Sequence, residues 1–92
     1  PVVILSSQQV EAKAYQMLEH AGALFTVNSA IAAFEENQAR ITDVLFSTAT
    51  EDRAVSFILD VVTETVTNIE INGDTDFPYT PSFEGFVDWV RK

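Results

Sequence analysis

Short apolar runs alternate along the chain with stretches of helical period. Val2-Val3-Ile4-Leu5 is a β-branched run without alternation, and Ser6 with Gln9 three residues later forms a capping box, so the pattern predicts a strand and then a helix. Between residues 8 and 21, Val10, Ala14, Met17, Leu18 and Ala21 recur at helical spacing. Glu11, Lys13, Gln16 and Glu19 are left for solvent, and Gly22 follows as the C-terminal cap. Ala23-Leu24-Phe25-Thr26-Val27 reads as a second strand, closed by the good N-cap residues Asn28 and Ser29. Residues 30–40 are rich in helix formers, place Ile31, Phe34 and Ile41 on one side and pair Glu36 with Arg40 at i, i+4, which predicts a short helix. The same stretch also admits a hairpin that pairs residues 23–34 with 39–48 around Glu35-Glu36-Asn37-Gln38.

Thr42 to Ser47 predicts a third strand, ending at Thr48, whose partner Glu51 forms another S/T-x-x-E box. Between Asp52 and Val66 the positions Val55, Ile58, Leu59, Val62 and Val66 hold the helical period, with Phe57 and Val61 widening the apolar face, so a third helix is expected. Ile69 and Ile71 alternate with polar residues in an edge strand from Asn68 to Asn72. Asn72-Gly73-Asp74 is a turn, and Pro78 and Pro81 make the segment from Asp74 to Pro81 an extended connection. From Ser82 onward, Phe83, Phe86, Val87 and Val90 return to helical spacing with Trp89 beside them. The order is βαβαβαβ plus a terminal helix. Three consecutive apolar strands then favour a small α/β domain whose four-stranded, mainly parallel sheet carries helices on both faces. The hairpin alternative gives an α+β, ferredoxin-like βαββαβ order instead.

Composition narrows the function classes more than it narrows the fold. Ninety-two residues, 47% hydrophobic and 21% charged, suit one ordinary globular domain. Five Lys plus Arg against fourteen Asp plus Glu give a net charge of −9, which argues against nucleic acid or an anionic membrane surface as partner. With no cysteine there is no disulfide, thiolate nucleophile or Cys-based metal site. No apolar run approaches the roughly 18 to 20 residues of a membrane span, so a soluble, cytoplasmic protein is expected.

Candidate chemistry is sparse. His20, the single histidine, stands in the last turn before Gly22, where an imidazolium would complement the helix dipole. Nothing resembles a G-x-S-x-G elbow, a Walker loop or H-E-x-x-H. Glu70, Asn72, Asp74 and Asp76 gather oxygen ligands around Gly73, but the glycine is misplaced for a calcium loop and the group reads as a polar turn. No cofactor, metal or catalytic residue is expected. The recognisable candidates for contact with a protein partner, or for self-association in a homo-oligomer, are the aromatic cluster Phe77, Tyr79, Phe83, Phe86 and Trp89 and the edge-strand pair Ile69 and Ile71.

Three family resemblances bear on this expectation. Val2-Val3-Ile4-Leu5-Ser6-Ser7, Met17-Leu18-Glu19-His20-Ala21-Gly22 and Thr42-Asp43-Val44-Leu45-Phe46-Ser47 resemble the first half of a two-component receiver domain. Ser6, Ser7 and Ser47 stand where a receiver carries its acidic pair and its phosphorylated aspartate, so the resemblance implies a degenerate, non-phosphorylated signalling domain. Thr42 to Val62, Phe77-Pro78-Tyr79-Thr80-Pro81 and Phe86-Val87-Asp88-Trp89 are similar to parts of the P-II and CutA families, which implies a trimeric sensor of small ligands. Pro1 to Leu5 looks like the opening strand of the tautomerase superfamily, where a free Pro1 amine would serve as a base. The first two point to a non-enzymatic regulatory domain that works by binding.

Overall fold

The computed structural model describes residues 4–75 and 82–91. Its elements run α1 (Ser7–His20), β1 (Ala30–Ala33), β2 (Gln38–Ser47), β3 (Asp52–Asp60), β4 (Thr65–Ile71) and α2 (Phe83–Val90). The four strands form one sheet in the order β1-β2-β3-β4, every neighbouring pair antiparallel. The parallel α/β arrangement expected from the sequence is therefore corrected to an antiparallel meander flanked by one helix at each end. The βαββαβ order is not observed either, because both helices lie outside the run of strands.

The local signals of α1 are met in full. Ser6 Oγ accepts the Gln9 N–H at 3.2 Å while Gln9 Oε1 accepts the Ser6 N–H at 3.0 Å, the reciprocal capping box. At the other end Ala23 N–H reaches Leu18 C=O at 3.0 Å and Gly22 N–H reaches Glu19 C=O at 3.0 Å, a Schellman closure with Gly22 at φ 81°. Arg91 donates to Ala21 C=O at the same helix end, and a Cβ on Gly22 would meet that guanidinium. Gly22→Ala is expected to cost about 1–2 kcal/mol from the left-handed backbone alone. A denaturation midpoint unchanged by this substitution would refute the account.

Two of the expected helices are strands. Residues 30–33 pair with β2 in the register Ala30↔Thr42 to Ala33↔Ala39, which realises the hairpin around Glu35 to Gln38. Hydrogen bonding along β2 overrides the helix propensity of the alanines. Residues 52–60 form β3, where Val55, Phe57 and Leu59 alternate inward at period two. The Thr48–Glu51 box is a hairpin turn rather than a helix start: Thr48 Oγ1 accepts the Glu51 N–H at 3.1 Å, and Thr48 N–H donates to Glu51 C=O at 2.7 Å. Without helices between the strands there is no crossover long enough for parallel pairing.

Two bulges interrupt period two in the sheet, one in β2 and one in β4. Between Ile41 and Val44, and again between Val66 and Ile69, the inward residues stand three apart, with Asp43 at φ 51° and Asn68 at φ 53° absorbing the extra residue. All four inward residues stay buried. The β3–β4 connection is built on Asp60, whose Oδ1 accepts the N–H groups of Val62 at 2.9 Å and Thr63 at 3.0 Å. After β4 the chain reverses at Asn72-Gly73, both with positive φ, while Ile71 and Asp74 exchange hydrogen bonds of 3.0 and 2.9 Å, the type I′ geometry.

Val10, Ala14 and Leu18 of α1 and Phe83, Phe86, Val87 and Val90 of α2 join the inward strand residues in one core. Both helices therefore cover the same face of the sheet. The opposite face presents Arg40, Thr42, Ser56, Thr67 and Glu70, as antiparallel sheets with one solvated face do. Ile4 and Leu5 belong to no strand, and the rest of the expected opening strand lies outside the described residues, as does most of the Asp74 to Pro81 connection. The expected strand at residues 23–27 reduces to a single bridge between Leu24 and Leu45.

Candidate interaction groove

On the covered face, α1 and α2 leave a groove between them. Its floor is apolar: Met17 and Ala21 from α1, Phe83 and Val87 from α2. Its volume is about 440 Å³, which puts it within the roughly 300–1,000 Å³ range of small ligand pockets. The two rims differ in charge. Lys13, Gln16 and His20 stand along α1, whereas Glu84 and Asp88 stand one helical turn apart on α2, with Glu64 joining them from the β3–β4 turn.

Each wall is held by contacts that reach well along the sequence. Ser82 Oγ caps α2 by accepting the Gly85 N–H at 3.2 Å, which starts the helix beside β4, and Phe83 N–H donates to Glu64 C=O at 2.7 Å. Arg53 closes the other end, its Nη1 donating to Val90 C=O at 2.7 Å. Arg53 and Arg91 thus each place a guanidinium on the carbonyl end of a helix, where positive charge is favoured. Glu64 sits at φ 57°, a left-handed position that glycine occupies without strain. Glu64→Gly is expected to stabilise the hairpin by up to about 1 kcal/mol, and a lower melting temperature in the variant would contradict the assignment of strain there.

The residues singled out from the sequence are distributed differently from expectation. Phe86, Phe83 and Ile69 are 1%, 8% and 6% exposed, so these three belong to the core, with Phe83 also flooring the groove. Trp89 keeps 41% of its surface accessible and Ile71 is half-buried at the end of edge strand β4. Phe77 and Tyr79 lie outside the described residues, as do Pro1 and Asp76. His20 is the last residue of α1 and lines the groove. Among the described residues no three His, Cys, Asp or Glu side chains are grouped to hold a metal, and no helix is long and apolar enough to cross a membrane.

Met17, Lys13, Gln16 and Glu64 are groove residues that the sequence does not mark. Each looks like an ordinary solvated or core position until α2 is docked beside it. Compared with family models, curated proteins and solved structures, the chain matches none.

Proposed function

We propose that this chain is a non-catalytic regulatory domain that acts by binding another protein, taking an apolar segment of the partner into the groove between α1 and α2. The observation that carries this reading is the groove itself, an apolar floor of Met17, Ala21, Phe83 and Val87 bordered by the carboxylates of Glu64, Glu84 and Asp88. An apolar centre with a polar rim is the anatomy of a protein contact, in which the centre supplies affinity and the charged rim governs encounter and partner choice. The net charge of −9 opposes the packing of two copies and favours a partner segment that carries cations beside its apolar residues.

A photo-crosslinking residue at Gln16, on the groove rim, tests the reading in the native cell. A discrete covalent adduct is expected there, and none from the same residue at Thr67 on the open sheet face. The double substitution Glu84→Lys, Asp88→Lys is expected to weaken that adduct and to reduce its sensitivity to salt. Equal labelling from both faces, or an adduct indifferent to the double substitution, would dismiss the groove as the contact.

A further inference from the structure

We propose that the flank of α1 turned away from the groove is a second contact surface, shaped to receive an arginine side chain from a basic partner segment. Along α1 the residues 11, 15 and 19 fall in one row at i, i+4, i+8, on the other side of the buried stripe Val10, Ala14, Leu18 from Lys13, Gln16 and His20. At the centre of that row Tyr15 stacks on Phe25 with ring centroids 5.1 Å apart and planes inclined by 22°. The pair is not core: Tyr15 is 48% and Phe25 37% exposed. Phe25 belongs to the loop between α1 and β1, in which Val27 is fully exposed and Leu24 half exposed.

Charge decides what fits such a surface. Glu11 and Glu19 lie one turn on either side of Tyr15, in the same row of the helix. Glu11 already accepts the Ala33 N–H at 3.2 Å, while Glu19 makes no ion pair among the described residues. Aromatic faces are themselves electronegative, so rings and carboxylates together favour a cation that is also flat. Guanidinium meets both demands, stacking on a ring while its edge donates two parallel hydrogen bonds to a carboxylate; an ammonium is a compact, strongly hydrated point charge. The fold uses this pairing elsewhere, with the Arg40 guanidinium 4.6 Å from the centre of the Phe34 ring.

The test uses a short blocked peptide with arginine beside leucine, and the same peptide with lysine or citrulline in place of arginine. Binding is followed through the ring proton shifts of Tyr15 and Phe25. The arginine peptide is expected to bind about two- to fivefold more tightly than the lysine peptide, as an exposed cation–π contact allows, and the citrulline peptide to lose binding. Tyr15→Ala and Phe25→Ala are each expected to abolish the preference, Tyr15→Phe to keep it, and Glu84→Lys with Asp88→Lys to leave it intact, which separates this surface from the groove. Equal binding of arginine and lysine peptides would reduce the effect to general attraction to an acidic protein and overturn the proposal. Shifts confined to other residues would do the same.

Discussion

Phe57→Ala is expected to remove about 3–5 kcal/mol of stability, much of what a domain of this size has, since whole domains hold about 5–15 kcal/mol. Phe57 is 2% exposed at the centre of β3, and its ring meets Phe86 edge-on at 4.9 Å and Phe83 at 6.4 Å. Those two contacts bind α2 to the sheet, so truncation leaves a cavity directly beneath one wall of the groove. The aromatic pairs add about 0.5–1.5 kcal/mol beyond area burial, which Phe57→Leu would forfeit without opening a large void. A graded result follows: Phe57→Leu mild, Phe57→Ala severe. Hydrogen exchange gives the more specific readout, with the amides of α2 losing protection before those of β2. Urea titration showing a loss under about 1 kcal/mol, or uniform loss of protection across helix and sheet, would mean that Phe57 does not hold α2.

The elements legible in the sequence are those closed by local chemistry. Ser6 with Gln9, Gly22 and the Asn72-Gly73 pair each satisfy nearby backbone groups, and the structure forms α1 and the hairpin turn where these signals stand, while α2 follows the helical spacing from Phe83 to Val90. Residues 52–66 failed for a physical reason. Val55, Ile58, Leu59, Val62 and Val66 fit a helix, while Val55, Phe57, Leu59 and Val61 fit a strand, and hydrogen-bonded neighbours on both sides select the second. The bulges played no part in that misreading: they lie in β2 and β4, where strands were expected, while β3 carries no extra residue and its apolar positions simply fit both periods. The groove was illegible because its floor joins Met17 to Phe83 and Val87, residues brought together only when both helices dock on the same face. Aromatic content at 83, 86 and 89 signalled a functional tail, yet two of those three rings are core, since composition does not separate an anchor for a partner from an anchor for the fold.

Asn37 is the other residue on which the positions of several elements depend. It is 6% exposed and sits in the β1–β2 turn at φ 58°, a left-handed conformation that asparagine tolerates and alanine resists. Its Oδ1 accepts the Leu5 N–H at 2.8 Å, just before the N-cap of α1, and its backbone carbonyl accepts the Val61 N–H at 2.9 Å, at the start of the turn that carries Glu64. One residue thus ties together the entry to the helix that forms one groove wall and the loop that contributes to the other. Asn37→Ala is expected to cost about 2–5 kcal/mol, combining about 1–2 for the left-handed backbone with about 1–3 for a part-buried N–H left without its acceptor. Asn37→Gly keeps the backbone conformation and loses only the side-chain acceptor, so it should recover about 1–2 kcal/mol of the alanine loss. The two variants separate the causes by denaturant titration. If glycine is as damaging as alanine, the lost acceptor accounts for the whole effect and the left-handed turn contributes nothing. If both variants match the parent protein, Asn37 does not join these elements, and the placement of the groove walls must rest on side-chain packing alone.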